Sequence, residues 1–214
     1  LMYTRIIAEA PARFLVSGMG DALATCFEAE TCDRSNFRNI CGGFNLRAIM
    51  SLAEGCYKTL LTYGSTAKVA CENNLVSPAL EYITEANTLL SGLGFESGGL
   101  STAHGIHDCL CNLEGTHAYY HGEKVAFGTL TGLFLEARPQ PLIDEVYAFC
   151  RSVGLPTTLA QIGLEGVTDS ELGAAIHPVF DNKLSYLHNV RFDLTPEGII
   201  EAIRMADALG RHLG

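Results

Sequence analysis

The stretch Phe14-Leu15-Val16-Ser17-Gly18-Met19-Gly20-Asp21-Ala22-Leu23-Ala24 sets the reading of the whole chain. Phe14, Leu15, Met19, Leu23 and, just beyond it, Phe27 recur at steps of mostly three or four residues, the spacing of one face of an α-helix. A helix is predicted over Arg13 to Cys32. Asp21 is at odds with this apolar surface, because a lone buried carboxylate is costly unless it is paired or binds a metal. The alternative is that Gly18 and Gly20 break the helix and Asp21 caps a new one from Ala22. Spacing leaves both open.

The same 3.6-residue period recurs outward from this segment in both directions, and period 2 is almost missing. Thr4 to Ala10 reads as a short helix stopped by Pro11, and Asp33 to Phe44 as a loop. Asn45 is the expected cap of a helix through about Tyr63, with Gly64 punctuating it and Ser65 to Asn74 continuing more weakly. Ser77-Pro78 caps Ala79 to Ser91. Gly92 to Gly99, with four glycines in eight residues, reads as a segment where backbones or a ligand come close. Leu100 to Leu113, Tyr120 to Glu136, Pro141 to Val153, Thr168 to about His177 and Thr195 to Leu213 complete the set. With no internal repeat, low-complexity tract or linker, residues 1–214 are predicted to form a single all-α domain, a helical bundle.

Composition narrows the function. Of 214 residues 48% are apolar, and mean hydropathy is +0.18, yet no run approaches the roughly 18 consecutive apolar residues that span a bilayer. A formal charge of −10 without any Lys/Arg run argues against nucleic acid and anionic lipid as partners. The start, Leu1-Met2-Tyr3-Thr4-Arg5-Ile6-Ile7, has no secretory pattern and no Met at position 1, so the chain is expected to begin inside a longer protein or at a domain border. The eight cysteines form no C-x-x-C, and Cys109 and Cys111 would point to opposite sides of a helix. Reduced, buried thiols in a cytoplasmic protein are expected.

All seven histidines lie at or beyond position 104, four of them at 104, 107, 117 and 121. His104 and His107 share a helix face, and His121 opens the next helix, so imidazoles from two helices plus a carboxylate make a candidate set for Zn²⁺ or a similar ion. Ordinary, partly exposed polar histidines are the alternative. Glu28, Glu30 and Glu54 are assigned to solvated helix faces. His107-Asp108 invites comparison with helical metal phosphohydrolases that use an H…HD…D set, but the only earlier histidine is His104, three residues away. Neither Gly18-Met19-Gly20-Asp21-Ala22-Leu23 nor Gly92-Leu93-Gly94-Phe95-Glu96-Ser97 completes G-x-G-x-x-G, and neither follows a predicted strand. A dinucleotide-binding half is therefore expected to be absent.

Several blocks resemble a known family: Ile7 to Leu15, Gly18 to Thr25, Glu85-Ala86-Asn87-Thr88, Gly94-Phe95-Glu96-Ser97-Gly98-Gly99-Leu100, Ala103-His104 with His107, and Tyr120-His121-Gly122-Glu123-Lys124-Val125-Ala126-Phe127-Gly128-Thr129-Leu130. Together they are similar to the C-terminal half of the glycerol dehydrogenase family. That family lies within the metal-dependent, "iron-containing" (group III) alcohol dehydrogenases, which include dehydroquinate-synthase-like folds. The resemblance implies that Asp21, His104 and His121 hold a catalytic Zn²⁺, and that Thr25, standing where iron-using relatives carry a histidine, marks the three-ligand zinc branch. It implies that Phe95 lies near the nicotinamide, with core packing as the alternative, and that His107 serves behind the ligands or on a proton path. His188 falls in a family block without an assigned role.

The activity so implied is NAD-dependent oxidation of glycerol or a similar 1,2-diol, with zinc activating the hydroxyl. The NAD site would lie mostly on an N-terminal α/β domain absent from this chain. Glycerol or a similar polyol, that N-terminal half and further copies of the chain are the implied partners. Two alternatives stand beside this reading: a non-catalytic module that binds zinc and self-associates, and a metal-dependent phosphohydrolase.

Overall fold

Pro11 and Asn36 bound the helix on which the others are arranged. The computed structural model describes residues 3–214, and the described residues form helices and no strand; Leu1 and Met2, part of the terminus discussed above, lie outside them. Ten α-helices follow in order: α1 (Thr4–Glu9), α2 (Ala12–Ser35), α3 (Arg47–Glu72), α4 (Pro78–Glu85), α5 (Ser91–Gly98), α6 (Thr102–Leu110), α7 (His121–Leu135), α8 (Gln140–Val153), α9 (Asp169–Phe180) and α10 (Pro196–Leu213). A π-helical turn, Ala86–Leu90, joins α4 to α5.

Local chemistry explains the ends. Asn36 adopts a left-handed conformation that stops α2, and Gly154 does the same for α8. Ser77 accepts a hydrogen bond from Leu80 N, with Pro78 in the first turn. Thr168 and Glu171 form a reciprocal capping box on α9, and Thr195 accepts from Gly198 N on α10.

Helix α2 packs against α3, α5 and α7, and α7 packs also on α6 and α10. Every residue of α7 from Gly122 to Leu133 is buried, the pattern of a helix enclosed on all sides. Met19, Leu23, Leu60, Phe127, Leu130 and Tyr147 lie wholly inside the core. Two crossings fix α7. A Cβ on Gly122 would overlap Ser17 O of α2, and one on Gly128 would overlap Ala103 O of α6. Only glycine lets these backbones meet. At the junction Ala24, Ala103 and Val125 form a small buried cluster of their own.

Several expectations need correction. Helix α2 runs unbroken through Gly18 and Gly20, so Asp21 is not an N-cap: the glycines are there for close packing, since a Cβ on Gly20 would overlap Gly122 O. Helix α3 passes straight through Gly64, whose missing side chain makes room for Phe149. Its N-cap is Leu46, because Asn45 instead donates Nδ2–H to Ala29 O and ties the preceding loop to α2. The glycine-rich stretch 92–99 does allow the close approach expected of it, Gly94 against Thr25 and Gly98 against Ala29, but as the body and end of α5. All eight cysteines are free, but Cys41 is exposed and Cys26 and Cys111 are half-buried, so burial holds for the other five.

The α2–α7 contact makes a direct prediction. Gly122→Ala should lower stability by about 1–3 kcal/mol by forcing the helices apart. Gly55→Ala in α3, where a Cβ meets nothing, should be neutral or raise stability by up to about 1 kcal/mol. Urea unfolding of both variants checks this; equal effects would contradict the packing account.

Candidate metal centre

The crossings also place the polar residues. Asp21 follows Gly20 on α2, His104 follows Ala103 on α6, and His121 precedes Gly122 at the start of α7. Each is the chain neighbour of a residue at which two backbones meet, so the three helices converge on one point.

Asp21 Oδ1 lies 3.3 Å from His104 Nε2 and 3.2 Å from His121 Nε2. The three candidate ligand atoms all fall within 4.8 Å of one another. Oδ1 is buried and has no hydrogen-bond partner, which is costly for a carboxylate oxygen. One carboxylate oxygen and two imidazole nitrogens are donors suited to a borderline divalent ion such as zinc. The residues present therefore fit a metal. The His104 side chain is 14% exposed, whereas those of Asp21 and His121 are 42% and 52% exposed, so the cluster is sealed on one side and open on the other.

Behind His104 lies Glu28, with a side chain only 1% exposed. Its Oε2 is 2.6 Å from His104 Nδ1, and its Oε1 accepts from the backbone N–H groups of Ser101 and His104 at 2.8 and 2.9 Å. The assignment of Glu28 to a solvated face is thus wrong: two turns beyond Asp21 on the same face of α2, it meets the positive N-terminus of α6. That seven-residue interval was the available signal, and it does not reveal which helix end would lie opposite. Glu54 is exposed as expected, while Glu30 is half-buried and pairs with Arg34 and Arg138.

The other expected residues stand outside the cluster. His107 packs its ring edge-to-face on His121, centroids 4.2 Å apart, with Nδ1 3.0 Å from Asp108 Oδ1 and Nε2 3.4 Å from Cys111 Sγ. Among the described residues neither His107 nor Asp108 joins a cluster of metal-ligand type, so an H…HD…D set is not assembled there. Thr25, one turn beyond Asp21, hydrogen-bonds Ser91 Oγ at 2.9 Å. Phe95 is 39% exposed on α5, so the core-packing alternative fails for it. His188 Nε2 meets Phe180 O at 2.8 Å and anchors the segment after α9.

Electrostatics favour a cation at the centre. Burial alone would raise the Asp21 carboxyl, but contacts with His104 and His121 outweigh it and hold the group well below the usual carboxylate range. Burial works against charge on His104 too, yet the Glu28 and Asp21 carboxylates push it up to about 10. Burial pulls His107 down. In the metal-free chain the raised His104 contributes stability that is complete below its ordinary 6.5, declines as pH rises, and is gone above about 10. The low Asp21 contributes stability present at neutral pH and lost in acid. The melting temperature of chelator-treated protein should therefore fall between pH 6.5 and 10. Zn²⁺ binding at pH 8 should displace about one proton, read from the dependence of binding enthalpy on buffer ionisation. Enthalpies identical in all buffers would contradict this.

No protein-family model matches the chain. It is 54% identical over 211 residues to glycerol dehydrogenase of Thermotoga maritima, across 99% of this chain and 58% of the relative. Against glycerol dehydrogenase of Citrobacter freundii it is 47% identical over 212 residues, with coverage of 99% and 58%. The fold superimposes on the crystal structure of a probable glycerol dehydrogenase from Sinorhizobium meliloti with a TM-score of 0.94 at 44% identity, covering 98% of this chain and 59% of that one. The chain spans about 58% of the length of these curated relatives, and along nearly its whole length it is similar to glycerol dehydrogenases.

Proposed function

We propose that the chain is the C-terminal, metal-binding half of an NAD-dependent dehydrogenase acting on glycerol or a similar 1,2-diol. The observation that carries the reading is the buried, unpartnered Asp21 Oδ1 facing two imidazole Nε2 atoms, in a chain similar along its length to glycerol dehydrogenases. Asp21, His104 and His121 would hold Zn²⁺, three protein ligands being the number that leaves a catalytic zinc open to substrate. A zinc ion supplies Lewis acidity, which lowers the pKa of a substrate hydroxyl.

The chain's own residues divide the remaining work. His104 and Glu28 close the floor, so a diol reaches the cluster from the side where Asp21 and His121 are exposed. His107 braces the His121 ring, and with the half-exposed Asp108 it offers a route for the alcohol proton toward solvent. The exposed Phe95 ring is the candidate for the nicotinamide side. The NAD site itself is assigned to a separate N-terminal α/β domain, with residues 1–214 forming one helical domain beside it. Exposed Phe37, Ile40, Phe44 and Leu46 on the loop after α2 support association with further copies. A cytoplasmic location without nucleic-acid or membrane partners completes the reading; among the described residues no helix is long and apolar enough to cross a membrane.

Metal analysis and glycerol-dependent NAD⁺ reduction test this, with the chain alone and with the N-terminal portion of a related glycerol dehydrogenase added. One zinc per chain is expected, with turnover only in the mixture, and both lost in Asp21→Ala and His121→Ala. Zinc without turnover in either case would support the non-catalytic module. Phosphate release from nucleotides, abolished by His107→Ala, would overturn both readings.

A further inference from the structure

We infer that Glu28 is a positioning residue for the metal centre: it fixes the proton of His104 on Nδ1 and so keeps the Nε2 lone pair turned to the Asp21 side. The inference rests on the proposed metal site and concerns a residue that does not touch the ion.

Both oxygens of the Glu28 carboxylate are engaged. Oε1 is occupied by two donors that cannot change, the backbone N–H groups of Ser101 and His104 at 2.8 and 2.9 Å. Oε2 faces only His104 Nδ1, at 2.6 Å, in a position sealed from water. An ionised carboxylate is an acceptor at both oxygens, so Nδ1 must be the donor. In the neutral ring that leaves Nε2, 3.3 Å from Asp21 Oδ1, as the lone-pair nitrogen. The same carboxylate thus sets the start of α6, through the backbone of residues 101 and 104, and the ring orientation of His104 on that helix. It also balances charge: Asp21 and Glu28 together carry two negative charges, so a divalent ion leaves the centre neutral although only Asp21 is a ligand. A carboxylate accepting from a ligating histidine is a general means of fixing its tautomer and strengthening it as a donor.

Glu28→Gln separates the two jobs. The amide oxygen can still accept from Ser101 N and His104 N, but its NH₂ group then faces Nδ1 and forces the proton onto Nε2, where it blocks ligation. Titration of the chain with Zn²⁺ against a competing chelator should show binding about 10- to 100-fold weaker in Glu28→Gln, with helix content by circular dichroism unchanged. In the zinc-loaded wild type, ¹⁵N correlation spectra of the imidazoles should show His104 protonated at Nδ1.

Equal zinc affinity in Glu28→Gln and wild type would overturn the inference and leave the metal site standing. Wild type that binds no zinc would overturn the metal site and this inference with it. If the variant does not fold, the wild-type spectrum decides: His104 protonated at Nε2, or at neither nitrogen, overturns the role assigned to Glu28.

Discussion

Everything at the centre depends on three helices touching backbone to backbone at two crossings. Helix α7 lies against α2 where Gly20, Gly122 and Ser17 O leave no space for a side chain, and against α6 where Gly128 meets Ala103 O. Asp21, His121 and His104 are the immediate neighbours of those contact residues, so their side chains are set by the backbone packing rather than by loop conformation. A cluster built this way is preorganised at the backbone, because shifting the Cα of any of the three residues means separating two buried helices. The small core of Ala24, Ala103 and Val125 shows the same economy of volume, since larger residues there would push the three helices apart.

Charge is the second constraint. Two carboxylates and two imidazoles lie within contact distance, and burial disfavours the charged forms of Asp21 and His104. Glu28 is satisfied through backbone N–H groups and His104, but Asp21 Oδ1 is left without a hydrogen bond. The arrangement is therefore incomplete as a purely protein structure. A proton on His104 answers the negative charge in part, and a divalent cation shared by the three ligand atoms would answer it fully.

The helices were legible because apolar residues at 3.6-residue spacing are a local signal, and caps such as Ser77, Thr168 and Thr195 act within one turn. The errors have one physical origin. Gly18, Gly20 and Gly64 read as possible breaks, because glycine is intrinsically poor in a helix, whereas tertiary packing keeps them helical and uses their missing side chains for contact. Asn45 misled for a similar reason: its amide serves Ala29 O of another element rather than the helix it precedes. For the centre, spacing alone could not separate His104 from His107. The resemblance selected His104, and in the structure His107 turns its nitrogens to Asp108 and Cys111. Glu28 went unrecognised because its partner, the start of α6, is 73 residues away in the chain.

The uneven exposure of the cluster bears on how the proposed chemistry would be organised. His104 is held from behind by Glu28 and is nearly closed to solvent, while His121 at the first position of α7 is half open. Helix ends leave backbone groups unsatisfied and are ordinarily met by solvent or ligands, so a ligand at the start of α7 places the centre at a surface. On the proposed reading, substrate and hydride acceptor must both arrive from that one side. On that same proposed reading the chain would contribute the rigid, charge-matched floor of a cleft, and a separate domain would contribute its roof. Such a division lets the floor stay fixed while closure of the two parts excludes water, which suits a reaction that needs a dry site for hydride transfer and an open one for exchange of polyol.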